Sequence, residues 1–147
     1  DEWVAYKVLM QVDEAIKPDV VLLVADASNL KRNLLFCSQI IDLKYPVVVA
    51  LTMMDLARTK GIDIDIPELE RELGVPVVPI NPRKEKGIAQ LKKTLLAKTK
   101  NLHAPPTYQF IQNQELAPEA ITKVRALYPE LTNYAAIHYL IHHEQFP

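Results

Sequence analysis

The sequence predicts a parallel α/β sheet that is followed by the beginning of an all-helical segment. Two observations lead to this fold class. Short runs of β-branched and aliphatic residues alternate with helical patterns, and from Tyr108 onward the pattern becomes purely helical. Alternation of strands and helices is typical of parallel sheets, because parallel strands are joined through helices. With 147 residues the chain has room for one medium domain, or for a domain plus an appendage.

Three apolar runs are the predicted strands. Residues 20–25 form a continuous aliphatic run of the kind that parallel sheets bury on both faces. Residues 46–51 form the second run and residues 75–80 the third. The prolines of the third run favour an edge or a strand end, because proline cannot donate to the sheet.

Helical spacing of apolar residues predicts the helices around these strands. In order, they cover residues 2–16, 30–43, 67–73, 87–98, 117–127 and 131–143, with a short polar helix after Asp55. Pro67 suits a first helical turn and Gly74 a left-handed stop. We assign residues 1–101 to a partial α/β domain and residues 102–147 to the start of a helical domain. The helical part is too short to bury a core of its own.

Composition excludes several classes of function. Lysine and arginine number 17 against 18 acidic residues, so no nucleic-acid partner is expected. Cys37 is the sole cysteine, which rules out an intrachain disulfide and favours a reducing, cytosolic setting. We interpret it as a small buried side chain. The longest apolar runs are too short to span a membrane. We expect both ends to be cuts through a longer protein.

Residues 46–57, PVVVALTMMDLA, predict a buried strand whose carboxyl end carries Asp55 into a loop. A carboxylate there can accept hydrogen bonds from N1–H and the exocyclic amine of guanine, a donor pair that adenine lacks. The usual partner, an Asn three positions earlier, is replaced by Thr52. The alternative is that Asp55 only caps the following helix.

A second candidate loop, Asn81, Pro82, Arg83 and Lys84, follows the third strand. In GTPases a Ser-Ala-Lys stretch at this place reads guanine O6 through a backbone N–H. Proline has no N–H, so Pro82 would remove that donor if it aligns with the Ala. Arg83 or Lys84 would then have to substitute. The alternative is an ordinary loop with solvated charges.

The phosphate half of such a domain is not in the sequence. There is no Gly-x-x-x-x-Gly-Lys-Ser/Thr loop, and the glycines stand singly, at positions 61, 74 and 87. The chain therefore carries the base-reading half of a GTPase-like, P-loop NTPase type domain. No catalytic residue can be named.

His138 and His142 have the i, i+4 spacing of a metal clamp, but a solvated histidine pair is the favoured interpretation.

Three stretches resemble the cytosolic portion of bacterial ferrous iron transport protein B, the FeoB family. They are KPDVVLLVADASNLKRNL at residues 17–34, PVVVALTMMD at 46–55 and LGVPVVPI at 73–80, which Lys86, Gly87 and Ile88 follow. The run DASNLKRN is the most specific, because general GTPases lack it. The resemblance covers residues 1–100 and continues more loosely into the helical tail.

This resemblance implies a GTP- or GDP-binding domain fused to a helical spacer domain and to a membrane permease for Fe²⁺. Thr52, Met53 and Asp55 match the family's Asn-Met-x-Asp motif. Asn81, Pro82 and Arg83 (residues 81–83) match its second base loop. Mg²⁺ is implied for the parent protein, but its ligands are not in this chain.

The implied location is the cytoplasmic face of the bacterial inner membrane, and the implied partners are a guanine nucleotide and the protein's own permease domain. We leave open a homo-oligomer. By itself, this chain is expected to be inactive as a GTPase, because residues that position water and magnesium are missing.

Two alternatives are weighed against this interpretation. The first is another GTPase of the Era type, against which the run at residues 26–33 argues. The second is a non-enzymatic α/β interaction module that has lost nucleotide binding. The missing phosphate loop, Thr52 and Pro82 favour the second alternative.

Overall fold

The computed structural model describes residues 5, 8–10, 18–100, 108–111 and 117–142. The described residues of Asp19–Gln109 form one compact unit, here called the α/β unit. Those of Asp1–Pro18 and Phe110–Pro147 form the other, here called the helical unit. Most of the helix predicted over residues 2–16, and the predicted domain boundary after residue 101, lie outside the described residues.

The α/β unit is built on a parallel sheet, as predicted. Its strands are β1 (Val21–Asp26), β2 (Val47–Thr52) and β3 (Val77–Pro79), in the order β1-β2-β3. The third strand is shorter than the predicted residues 75–80. It begins after Pro76, which has no N–H to donate, and it still includes Pro79 as its last residue. Pro76 still contributes its carbonyl, which accepts from the N–H of Val49 at 2.9 Å.

The helices of this unit are close to their predicted places. They are α1 (Leu30–Asp42), α2 (Met54–Thr59), α3 (Ile66–Leu73) and α4 (Ile88–Lys100), with short 3₁₀ turns at Ala27–Asn29 and Pro82–Lys84. Helix α3 begins one residue before Pro67, because the Asp65 carboxylate accepts the N–H of Glu68 at 3.0 Å and so defines the cap. Gly74 ends the helix with φ 64°, as expected for a left-handed stop.

Strand β2 is the centre of the core, and residues Val47 to Leu51 are at most 1% exposed. Because side chains alternate along a strand, Val48 and Ala50 share one face. That face packs against α4 in a cluster with Val78, Ile80 and Leu91. Helix α1 packs on β1 and buries Cys37, Ile40 and Ile41. The buried position of Cys37 confirms its interpretation as a core side chain.

The expectation that the first strand is buried on both faces is wrong. Leu23 and Ala25 are buried, but Leu22 is 40% and Val24 is 64% exposed. These two residues pair in register with Val48 and Ala50, and so lie on the α4 face of the sheet. Helix α4 packs over β2, while Leu22 and Val24 of β1 stay exposed on the same face. An apolar run therefore does not show which face of a strand a helix covers.

The helical unit contains α5 (Pro118–Leu127) and α6 (Asn133–Ile141), both within the predicted segments. They pack through Ile121, Val124 and Ala136. Helix α6 begins later than predicted, because the Thr132 hydroxyl caps it by accepting the N–H of Ala135 at 3.1 Å. Among the described helices, none has both the length and the apolar character that crossing a membrane requires.

Gly87 is the position where the α/β unit most needs a glycine. Its φ is 78°, and an added Cβ would run into the carbonyl oxygen of Pro79 and lie 3.1 Å from the Cα of Ile80. Gly61 has a similar φ of 72°, but no described atom lies within 4 Å of its Cβ position. A side chain at Gly61 would therefore cause backbone strain alone, whereas one at Gly87 would cause both backbone strain and a steric clash.

We expect Gly87→Ala to lower the free energy of unfolding by about 2–4 kcal/mol, because strain and clash add. The matched control Gly61→Ala should lose only about 1 kcal/mol, from strain alone. Urea unfolding of both variants, followed by circular dichroism, measures the difference. Equal losses would show that the residues around Gly87 give way at no cost.

Candidate functional site

The carboxyl ends of the three parallel strands meet at one edge of the sheet. Asp26 at the end of β1 is in register with Thr52 at the end of β2. Past β3, the N–H of Ile80 donates to the carbonyl of Leu51 at 2.8 Å, so Asn81 emerges next to the end of β2. The loops that follow Asp26, Thr52 and Ile80 therefore lie side by side, where open α/β sheets bind their ligands.

Met53 makes the sharp turn by which the chain leaves β2. Its backbone is left-handed, with φ 58° and ψ 28°, which costs a non-glycine residue about 1 kcal/mol or more. Because of this turn, α2 starts at the next residue and places Asp55 within its first turn. The Met53 side chain is 46% exposed at the sheet edge. Strain of this kind is characteristic of functional sites.

Asp55 is exposed, and one of its carboxylate oxygens accepts the N–H of Leu56 at 3.0 Å. The cap position of the helix is taken by Met53, whose side chain makes no capping bond. Asp55 thus satisfies one N–H of the first turn without being the cap residue. An ionised carboxylate has about four acceptor sites, so this bond leaves capacity for other donors.

The Thr52 side chain turns toward the neighbouring strand. Its hydroxyl donates to the carbonyl of Ala25 at 3.3 Å and so connects the ends of β1 and β2. The residue is half-buried. This position therefore braces the sheet edge, and its hydroxyl is already engaged with the backbone.

The loop after β3 is closed on itself by backbone bonds. The N–H of Asn81 donates to Lys86 O at 2.9 Å, and the N–H of Lys86 donates back to Asn81 O at 3.1 Å. Within the loop, the Asn81 side-chain oxygen accepts the N–H of Lys84 at 3.2 Å. Pro82 opens the 3₁₀ turn, where its missing N–H costs no turn hydrogen bond. Arg83 is exposed on the same turn.

The structure thus brings the predicted base-reading residues to one edge: Thr52, Met53 and Asp55 after β2, and Asn81, Pro82 and Arg83 after β3. Sequence reasoning missed a contact at the same edge. The Lys60 ammonium lies 3.5 Å from the hydroxyl of Ser28, and Ser28 is only 9% exposed. Nothing in the sequence pattern pairs Ser28 with Lys60, because the two residues lie in different loops of the chain.

The histidine pair lies in the helical unit, away from these residues in the chain. The rings of His138 and His142 are stacked, with centroids 5.9 Å apart, and His138 also meets Tyr134 edge-on at 4.7 Å. Burial, and to a lesser extent the charge on His142, lowers the pKa of His138. The described residues contain no group of three or more histidine, cysteine, aspartate or glutamate residues that could hold a metal ion.

Relatives of the chain are known. A family model described as ferrous iron transport protein B matches residues 1–95. The chain belongs to this family. The Fe(2+) transporter FeoB of Leptospira biflexa is 43% identical over 98 residues, which are 67% of this chain and 14% of that protein. FeoB of Legionella pneumophila strain Paris is 47% identical over 78 residues, which are 53% of this chain and 10% of that protein. The chain spans only a small part of the length of these relatives.

Solved structures agree with this assignment. The cytosolic domain of T. maritima FeoB in a GDP form matches with a TM-score of 0.74 and 26% identity, over 94% of this chain and 54% of that one. An S. thermophilus NFeoB mutant bound to GDP gives a TM-score of 0.76 at 29% identity, over 95% and 54%. The FeoB G-domain from Methanococcus jannaschii gives 0.60 at 38% identity, over 67% and 60%. These matches confirm the predicted GTPase-like fold class of this FeoB chain.

The lowered pKa of His138 leads to a prediction about the helical unit of this FeoB chain. As the pH falls below about 6.5, the unfolded histidine takes up a proton while the folded one resists it until a lower pH. Stability should therefore be full above that pH and decrease as the pH falls toward the folded pKa.

We expect thermal unfolding at pH 5.5 and 7.5 to show a smaller difference in midpoint for His138→Gln than for the unsubstituted chain. As a companion measurement, His142→Gln should raise the pKa of His138 in an NMR titration, because a like charge is removed. An identical pH dependence with and without His138 would rule out this linkage.

Proposed function

We propose that this chain is part of the guanine-nucleotide-binding region of a ferrous iron transporter and that Asp55 selects the guanine base. The observation that carries the proposal is the placement of Asp55. A left-handed turn at Met53 presents this exposed carboxylate at the carboxyl edge of the central strand. In support, the structures of the T. maritima and S. thermophilus relatives were determined in GDP-bound forms.

In this proposal, the Asp55 carboxylate accepts N1–H and the exocyclic amine of guanine in a bidentate pair. The bond from the Leu56 N–H at 3.0 Å fixes the carboxylate's orientation before the base arrives. A charged acceptor facing two parallel donors gives strong and geometrically specific bonds. Adenine has no matching donor pair, so the same carboxylate discriminates against it.

In this proposal, the loop after β3 contacts the other side of the guanine base. Asn81 shapes this loop, since its side chain already holds the Lys84 N–H. Pro82 has no N–H, which leaves the Arg83 N–H as the donor for guanine O6. Thr52 acts through its bond to Ala25 and so keeps the two strand ends together. We therefore assign Thr52 and Asn81 to support, and Asp55 and Arg83 to base contact.

The remaining parts of the proposal concern the longer protein. Phosphate and Mg²⁺ contacts in nucleotide-binding domains of this type depend on a glycine-rich loop that this sequence does not contain. The described residues contain no group of three or more histidine, cysteine, aspartate or glutamate side chains that could hold a metal ion. We propose that GTP binding and hydrolysis there regulate Fe²⁺ passage through a permease domain at the cytoplasmic face of the membrane.

A second candidate function is a non-enzymatic α/β interaction module. Two observations favour it: the Thr52 hydroxyl is bonded to the backbone of Ala25, and Pro82 lacks an N–H at the base-reading loop. An edge of this kind would serve protein contacts rather than a nucleotide. The two functions differ in whether base selectivity depends on Asp55.

The experiment tests whether Asp55→Asn shifts the base preference of the full-length protein from guanine towards xanthine. We expect Asp55→Asn to weaken GDP binding by about 2–4 kcal/mol, because a charged hydrogen-bonding partner is removed from two donors. The same variant should admit xanthosine diphosphate, whose 2-oxo group accepts from the new amide. Competition of GDP and xanthosine diphosphate against a fluorescent nucleotide measures both effects.

Asp65→Asn is the matched control. Asp65 also accepts an N–H in the first turn of a helix, the N–H of Glu68 at 3.0 Å, but it lies at α3. This control should leave the base preference unchanged. If Asp55→Asn and Asp65→Asn behave alike, Asp55 serves only its own helix, and the interaction module becomes the better account.

A further inference from the structure

Helix α2 carries Asp55 and has only six residues, so its orientation depends on what holds it. It packs against the 3₁₀ turn Ala27–Asn29 that follows β1. Ala57 on the helix and Ala27 on the turn are both 0% exposed. The turn after β1 therefore supports helix α2, which carries Asp55, the carboxylate proposed to read the base.

Polar contacts connect the residues that flank this helix, Thr52 at the end of β2 and Lys60 at the C-cap, to β1 and its turn. At the beginning, the Thr52 hydroxyl donates to the carbonyl of Ala25 at 3.3 Å. At the end, the Lys60 ammonium lies 3.5 Å from the hydroxyl of Ser28. Lys60 is the cap residue of α2, and its N–H donates to the carbonyls of Leu56 and Ala57 at 3.0 Å.

Ser28 is itself held in place. Its N–H donates to a carboxylate oxygen of Asp26 at 2.8 Å, and the residue is 9% exposed. The Ser28 backbone is thus bonded to Asp26, and its hydroxyl is the acceptor that lies 3.5 Å from the Lys60 ammonium. A contact between Lys60 and this turn opposes rotation of α2 relative to the turn.

From these contacts we propose that Ser28 and Lys60 are positioning residues for guanine selection, acting through the orientation of α2 on Asp55. This inference rests on the proposed role of Asp55. Neither residue touches the base in this proposal. A bidentate contact needs both carboxylate oxygens aligned, whereas a single hydrogen bond tolerates a tilt of the helix. Loosening α2 should therefore weaken the two-bond contact with guanine more than the one-bond contact with a base that lacks the exocyclic amine.

The experiment compares GDP with inosine diphosphate, which keeps N1–H but lacks the exocyclic amine, in the full-length protein. We expect Ser28→Ala and Lys60→Met each to reduce GDP affinity about three- to tenfold, the range for one lost hydrogen bond. Inosine diphosphate affinity should change less than twofold. The double variant should lose no more than either single variant, because the two residues act through one contact.

Matched variants separate positioning from general stability. Lys60→Arg keeps a donor and should retain the preference for GDP, while Lys93→Met removes an exposed lysine of α4 and should change neither affinity. In an Asp55→Asn background, Lys60→Met should no longer alter the ratio of the two affinities. Equal losses for both nucleotides, or additive losses in the double variant, would overturn the positioning role.

Failure of this inference is distinguishable from failure of the proposed function. If Asp55→Asn changes the base preference while Ser28→Ala and Lys60→Met leave the GDP to inosine diphosphate ratio intact, only the positioning role is wrong. If Asp55→Asn leaves the base preference intact, the proposed function fails and the positioning role fails with it. Melting temperatures of all variants show whether an affinity loss reflects unfolding.

Discussion

The parallel pairing of β2 with both of its neighbours is the constraint on which the rest of the α/β unit depends. Residues Val47 to Leu51 are at most 1% exposed, and the strand is bonded on one side to β1 and on the other to β3. Burial of five aliphatic side chains stabilises this arrangement by several kcal/mol. Since parallel strands end at the same edge, this pairing alone brings the three candidate loops together.

At that edge of the sheet, backbone conformation positions the candidate loops as much as side-chain hydrogen bonds do. Met53 takes a left-handed conformation that turns the chain into α2 at once, and Gly87 takes one that lets the loop after β3 approach Pro79 and Ile80. Asn81 closes the same loop through its backbone bonds with Lys86, and its side chain accepts the N–H of Lys84. These local features define the backbone conformation of the segments that carry the candidate base contacts of this FeoB chain, and selective hydrogen bonding requires well-positioned groups.

Much of this arrangement was predictable because it is locally encoded. Aliphatic runs predict the strands, Pro67 and Gly74 indicate the ends of α3 to within one residue, and a carboxylate after a buried strand indicates Asp55 as a candidate. Which faces of the sheet the helices cover was not predictable from the sequence. Leu22 and Val24 look as apolar as Val48 and Ala50, yet they are exposed, because only the positions of the helices decide which face is covered.

The sequence by itself determined the order of strands and helices, the parallel class of the sheet, the family and the candidate base-reading residues. Only the tertiary structure showed that Thr52 is bonded to Ala25 and that Lys60 reaches Ser28, 32 residues earlier. Neither contact has a sequence signature, because each joins segments that meet only after β1 and β2 have paired. The periodicity of apolar residues reports only local conformation. These two contacts depend instead on the register between β1 and β2 and on how α2 packs against the turn after β1.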